Sequence, residues 1–283
     1  MTTPSQNQMS AIASFDAAAL LKIAGEAVAV FNNCGQQVRS FAARYPSFAL
    51  EDAYRVLAHA NEMRTARGYR VLGRKIGFTN RNIWDEYGVN TPNWGYIYDR
   101  TVHDIAEPLS LAPYAEPKIE PEIMFGLAAE PSPGMDEAAL LSCVAWVAHG
   151  FEIVQSIFSG WKFSAADTVV ANAMHGALLI GPRHAIGTRA EEWLHALPQF
   201  EVELYCNGQL RDRGRGANVM DGPLSVLRHV VDLLSRDPDN PPLRAGEIIS
   251  TGTLTRALSV TAGETWTTRL AGIDLEGATL RLC

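Results

Sequence analysis

No run of about 18 or more uncharged apolar residues occurs anywhere in this chain, so no segment has the length to span a bilayer as a helix. Basic runs are equally scarce beyond the neighbourhood of Arg211–Arg215, and the formal net charge is −7, which argues against a dedicated nucleic-acid surface. The opening stretch MTTPSQNQMSAIAS lacks both a basic and an apolar region. Residues 1–14 therefore read as a disordered tail and not as a secretion signal. Cys34, Cys143, Cys206 and Cys283 stand far apart with no CxxC spacing. Reduced cysteines in a cytoplasmic protein are the simplest account, and structural zinc is not indicated. The acidic balance leaves room for a small anionic substrate, because one metal ion and one or two cations reverse the potential locally.

Apolar material is plentiful: 47% of 283 residues, enough for a sizeable core. The first part reads as helical. Ala19, Leu20, Ile23, Ala27, Val30 and Phe31 recur at helical spacing, and a second helix is predicted from Leu50, with acidic residues in its first turn and Gly68 past its end. From about Val71 short β-branched and aromatic runs alternate with Gly, Pro, Asn and Asp clusters, the pattern of a strand-rich body. Two helices are predicted to interrupt it, over about 136–148 and 224–235. The chain thus divides into the tail 1–14, a helical part 15–70 and a β-rich catalytic part 71–283, an α+β class.

The segment from Lys118 to Phe125 carries most of the chemical information. In a strand, Glu120 and Glu122 share a face while Ile119, Ile123 and Phe125 take the other. Two carboxylates about 6 Å apart repel by roughly 3 kcal/mol at an effective dielectric of 20, unless a cation lies between them. Pro121, unable to donate to a ladder, points to an edge strand or a bulge. A solvated strand face would explain an isolated Glu-x-Glu. Glu152 argues otherwise, because it stands within the apolar run Phe151–Phe158, where a lone acid is costly unless paired or metal-bound. Three convergent carboxylates suit Mg²⁺ or Mn²⁺.

These segments, with Gly73–Thr79, Asp167–Asn172 and Leu243–Thr255, resemble the 2-keto-4-pentenoate hydratase and 4-oxalocrotonate decarboxylase branch of the fumarylacetoacetate hydrolase superfamily, in matching order from about Leu50 onward. The resemblance implies an N-terminal helical part followed by a mixed, largely β-stranded roll, a homo-oligomer, and a Mg²⁺ or Mn²⁺ ion on Glu120, Glu122 and Glu152. It places a catalytic lysine at Lys75, and a second basic site residue at Lys162. It also places a substrate-carboxylate turn at Thr251, Gly252 and Thr253. Lys75 would move a proton or stabilise enolate charge, with desolvation beside a metal lowering its pKa.

The chain departs from the family pattern at several positions. Where the family has an acid/base aspartate this chain has Arg100, with Asp99 one place earlier; one place flips a strand's face, so either a bulge restores Asp99 to the site or the role is lost. Arg100 either binds a second substrate carboxylate or points to solvent. His175 is either an acid/base group or a packed core histidine. Trp84, Trp94, Tyr96 and Tyr98 either line a pocket or pack against the body.

The activity implied is a lyase acting on a small 2-oxo acid: hydration of a 2-hydroxy-2,4-dienoate, or decarboxylation of a related 2-oxo dioate. The alternatives are C–C hydrolysis of an acylpyruvate or 1,3-diketone, for which His59 and Glu62 have the spacing of a water-activating dyad, and a non-catalytic partner subunit.

Overall fold

The computed structural model describes residues 15–31 and 36–283, apart from the side chains of residues 83, 86 and 87; the predicted tail 1–14 and Cys34 lie outside the described residues. Helix α1 (Ala17–Phe31) starts where the Asp16 carboxylate accepts from Ala19 N at 2.7 Å. After the short α2 (Phe41–Arg44), α3 (Leu50–Ala66) begins with Glu51 and Asp52 in its first turn, and the Asp52 carboxylate accepts from Ala49 N. It ends before Gly68, whose φ of 83° a side chain would resist. Leu20, Ile23 and Ala27 of α1 join Val56, Leu57 and Ala60 of α3 in one apolar cluster that also contains Ile123, Phe125 and Val226. The helical part therefore shares the core of the body.

The body is built on a large mixed sheet. Its main strands are β1 (Val71–Gly77), β2 (Asn93–Tyr98), β3 (Val102–Asp104), β4 (Lys118–Leu127), β5 (Val144–Val154) and β6 (His175–Ile180), with Ile248–Ser250 inserted between β1 and β4; the short strands His184–Ala185 and Leu258–Ser259 pair with β5 and β4. The order across it is β2, β1, 248–250, β4, β5, β6, β3. A smaller four-stranded antiparallel sheet, from 201–206, 209–215, 265–271 and 279–281, packs beside it. This is the α+β arrangement expected, helices first and then a curled sheet.

Three local expectations need correction. The helix predicted over 136–148 covers only Glu137–Ser142, capped by Asp136, and Val144 already begins β5. Val144, Val147 and Ala148 fit a helical period, but pairing with β4 overrides it: Trp146 lies across Gly126, where a Cβ would come within 2.0 Å of the indole. Helices Ala165–Val170 and Ala190–Gln199 were not foreseen; the first is too short to show a period, and Pro198 inside the second reads as a breaker. Pro121 is neither at an edge nor in a bulge. Strand β4 is interior, and Pro121 sits where its neighbour divides into Ile248–Ser250 and Leu258–Ser259. The intervening loop approaches instead, and Leu254 N donates to the Pro121 carbonyl at 2.9 Å. The predicted 224–235 helix runs Pro223–Leu234, with proline at its first turn, where the missing N–H costs nothing.

His149, on β5, joins the two sheets. Its Nδ1 lies 3.0 Å from the Glu122 carbonyl and its Nε2 2.8 Å from Thr268 Oγ1. The Glu122 carbonyl can only accept, so Nδ1–H donates to it, and the Nε2 of the neutral ring accepts from Thr268 Oγ1, which itself accepts from Ala278 N. Burial lowers the His149 pKa to about 4. The unfolded chain takes up this proton near pH 6.5 and the folded one does not, so stability present above that pH falls as acidity rises toward pH 4. His149→Gln should therefore remove about 3 kcal/mol of the loss between these limits, measured by urea unfolding at a series of pH values. Parallel stability–pH curves for the two proteins would show that His149 titrates normally.

Candidate active site

The carboxylate trio assembles through strand register. Glu120 on β4 is the direct partner of Glu152 on β5, and Glu122 lies two residues along the same face. One oxygen from each lies within 4.8 Å of the other two, and all three side chains are buried. Glu122 is held from one side: Ser250 Oγ donates to its Oε2 in a short hydrogen bond, and Gly252 N donates to the same oxygen at 2.9 Å. Gly252 can do this because its φ is 91° and its bare Cα lies against Thr79; a Cβ would come within 1.9 Å of Thr79 Oγ1.

Lys75, on β1, is 4% exposed and enters the same site. Its Nζ donates to the Ala173 carbonyl at 2.7 Å and lies 3.6 Å from Glu152 Oε2. That carbonyl is aimed by an unusual backbone: Asn172, Ala173 and Met174 have φ of 53°, 52° and 63°, three successive left-handed non-glycine residues. The Asn172 amide fixes the turn, accepting from Tyr96 N at 2.8 Å and donating to Tyr96 O at 2.9 Å. Asn93, which the sequence reading did not single out, is buried nearby. Its Nδ2 donates to Thr168 while its Oδ1 has no hydrogen-bond partner, and a Cβ on Gly77 would touch both this oxygen and Lys75 Nζ.

The electrostatics are one-sided. Burial raises the pKa of all three carboxyls, opposed chiefly by Lys75 for Glu120 and Glu152, while the Glu152 charge adds to the rise at Glu122. At Lys75 burial is the largest influence and lowers the pKa, but Glu152, Glu120 and Glu122 together outweigh it and the net shift is upward. The lowering foreseen for Lys75 thus requires the carboxylate charges to be neutralised. Glu122 Oε1 and Glu152 Oε2 have no hydrogen-bond donor. Buried acceptors in this state are costly, and three hard oxygen ligands with one lysine to balance them fit a divalent cation.

His175, at the start of β6, packs against the trio. Its Nδ1 lies 2.7 Å from Glu152 Oε1 and its Nε2 2.8 Å from Thr101 Oγ1. Burial, then the charges of Lys75 and Arg64, lower its pKa to about 3. A neutral imidazole holds Glu152 through Nδ1 and faces at Nε2 the Thr101 hydroxyl, which also donates to the Tyr98 carbonyl at 3.0 Å, so His175 is a group that orients Glu152.

Other predicted residues fall outside this cluster. Asp99 stands at the surface, accepting from Arg70 N and Nε at 3.0 Å each, and these bonds hold its pKa down. No bulge returns it to the glutamates, because the chain turns into a 3₁₀ helix over Asp99–Thr101. Arg100 lies over the Tyr69 ring, 4.2 Å from its centroid, on a separate cavity. Lys162 is exposed, although its neighbour Trp161 lines the cleft over Glu120 and Lys75. Gly252 and Thr253 line that cleft, whereas the Thr251 and Thr253 hydroxyls donate to the carbonyls of Ile123 and Thr255. His59 and Glu62 form a surface pair on α3 at 3.3 Å. Trp94, Tyr96 and Tyr98 are buried and pack around Arg74, Arg64 and Tyr54, with Tyr98 also edging the second cavity. Trp84 donates from Nε1 to the Phe78 carbonyl.

Comparisons with known proteins identify the family. Residues 64–278 match the family described as fumarylacetoacetate (FAA) hydrolase C-terminal. The 2-hydroxyhexa-2,4-dienoate hydratase of Comamonas testosteroni is 31% identical over 223 residues, covering 78% of this chain and 82% of that one. The 4-oxalocrotonate decarboxylase of Pseudomonas sp. (strain CF600) is 29% identical over 230 residues, covering 81% and 84%. The solved structure of 4-oxalocrotonate decarboxylase from Pseudomonas putida G7, complexed with magnesium and adipate, superposes with a TM-score of 0.86 at 25% identity, covering 95% of this chain and 99% of that one. The chain belongs to the fumarylacetoacetate hydrolase family.

Proposed function

We propose that this protein is a divalent-metal-dependent lyase acting on a small 2-oxo acid, as a hydratase of a 2-hydroxy-2,4-dienoate or a decarboxylase of a related 2-oxo dioate. The observation that carries the reading is the buried meeting of Glu120, Glu122 and Glu152, with Glu122 Oε1 unpartnered and Glu152 Oε2 faced only by the Lys75 ammonium at 3.6 Å. Mg²⁺ or Mn²⁺ held by the three glutamates would supply Lewis-acid stabilisation of the substrate's enolate charge. The sequence relatives are named as hydratases and decarboxylases, and the solved decarboxylase carries magnesium.

The remaining chemistry belongs to the chain. Lys75 carries the proton to be transferred, and the Ala173 carbonyl fixes the direction in which its Nζ points. His175 holds the carboxylate of Glu152 and Ser250 that of Glu122, which restrains their rotation. Gly252 and Thr253 form one wall of the cleft and Phe78 and Trp161 further parts of it. Free volume there is about 20 Å³, room for one water-sized body, so an organic acid enters only when lining side chains move. For Thr253 and Gly252 to receive the acid's carboxylate, the Thr253 hydroxyl has to leave the Thr255 carbonyl and the Gly252 N–H the Glu122 carboxylate. Lys162, beside Trp161, approaches the cleft only through such a movement. The enzyme is proposed to work in the cytoplasm as a homo-oligomer; among the described residues no helix is long and apolar enough to cross a membrane.

The test is turnover by chelator-treated protein before and after adding Mg²⁺ or Mn²⁺. Three substrates suffice: a 2-hydroxy-2,4-dienoate, followed by loss of its conjugated absorbance; 4-oxalocrotonate, followed by CO₂ release; and an acylpyruvate. Metal-dependent turnover of either of the first two is expected. Cleavage of the acylpyruvate alone would establish the hydrolase alternative, and no turnover of any would support the non-catalytic partner.

A further inference from the structure

A second cavity, of about 420 Å³, lies on the other side of His175 from the glutamates. Its walls include Phe31 from α1, Arg64 from α3, Tyr69, Tyr98 and Arg100. No aspartate or glutamate is among the described residues that line it, in a chain of net charge −7.

Arg64 is the unusual element. It is 5% exposed, its Nη1 has no hydrogen-bond partner, and among the described residues no carboxylate lies within 4.0 Å of it. Its guanidinium carbon lies 5.1 Å from the Phe31 ring centroid and 5.2 Å from that of Tyr98. Arg100, at the exposed rim, lies 4.2 Å over Tyr69, whose ring is 5.7 Å from that of Tyr98. Two guanidinium groups therefore share one aromatic cluster, one at depth and one at the rim. Ring faces offset part of their charge, and Arg64 interacts with the Tyr98 hydroxyl, yet Nη1 of Arg64 is left without a partner. A buried guanidinium with an open donor is costly, and the group that completes it best is a planar carboxylate.

We infer that this cavity is a binding site for a small dicarboxylate anion, separate from the glutamate cleft. One carboxylate is taken by Arg64 at the floor and the other by Arg100 at the rim, with the carbon chain between them against Tyr98 and Phe31. Two cations at different depths select two separated charges. Phosphate concentrates its charge at one end and leaves one arginine unmatched. Arg100 thus acquires a role that does not involve the reacting substrate.

Succinate, propionate and inorganic phosphate serve as probes, titrated calorimetrically into the full chain with excess EDTA, so that no metal in the glutamate cleft contributes. Succinate is expected to bind more tightly than propionate or phosphate. Arg64→Lys, which keeps the charge but loses the fork, should weaken succinate by roughly tenfold or more. Arg100→Ala, at an exposed position where folding is not at stake, should bring succinate down to the affinity of propionate and leave propionate unchanged. Glu122→Gln should leave succinate binding intact. Succinate affinity unchanged in both arginine variants, phosphate binding as tight as succinate, or no succinate binding to the wild-type chain would each overturn the assignment, as would its loss in Glu122→Gln.

Discussion

Glu152→Gln is expected to abolish metal-dependent stabilisation and reduce turnover by about 10³-fold, equivalent to about 4 kcal/mol. The exchange keeps the volume of a side chain that is completely buried and retains an acceptor for His175. What disappears is one negative charge opposite Glu120, in the centre of the trio. Since burial holds the Glu152 pKa above the ordinary carboxylate value, its ionisation at neutral pH opposes folding in the metal-free chain. The metal-free variant should therefore melt no lower than the wild type. The difference appears on adding Mg²⁺: a ligand at 100 times its Kd stabilises the wild type by about 2.7 kcal/mol, and the variant should gain almost none. Thermal melts with and without Mg²⁺, beside turnover, read both effects. An equal Mg²⁺-induced shift in the two proteins would remove Glu152 from the metal site.

Lys75→Met should act in the opposite electrostatic sense. It removes the one lysine among three buried carboxylates, so affinity for the divalent ion is held or tightened while turnover falls by roughly 10²-fold or more, the scale for an acid–base group. The metal-free variant should be less stable than the wild type, because the carboxylates lose their compensating charge, and Mg²⁺ should restore most of the difference. Binding and turnover thus move apart, which a merely structural lysine would not produce. Wild-type turnover in Lys75→Met, or loss of turnover and metal affinity together, would contradict a proton-handling role. With the metal present the influence that raises the Lys75 pKa is neutralised and desolvation is left to lower it, so the lysine is best suited to proton transfer in the loaded enzyme.

Much of this site is legible along the chain because its signals are local. Alternation alone puts Glu120 and Glu122 on one face, and Glu152 stands out as an acid in an apolar run that has to be accounted for. The acidic first turn and terminal glycine of α3 mark its ends without reference to anything else in the molecule. The pairing of Glu120 with Glu152 is a different kind of fact. It depends on the register between β4 and β5, which follows from where helix Glu137–Ser142 stops and β5 begins, the boundary that helical periodicity misplaces.

Other features were decided only by the tertiary structure. Nothing local distinguishes His175 as a partner of Glu152 from a packed histidine; the distinction arises when β6 is laid beside β5. The left-handed run over Asn172–Met174 contains no glycine to announce it, and persists because the Asn172 amide is bonded on both sides to Tyr96. Asp99 and Arg100 were weighed by strand alternation, but the strand ends at Tyr98 and a 3₁₀ turn directs them elsewhere, one to Arg70 and the other to the ring of Tyr69. Nothing local marks Arg64, whose open donor, and the lack of acids among the described residues lining its cavity, are properties of segments far apart in sequence. Residue types and their period determine which side chains share a face and which carry a cost of burial. Which of those costs are met, and by what partner, is set by long-range packing, because the partners come from strands and helices that only the folded chain brings together.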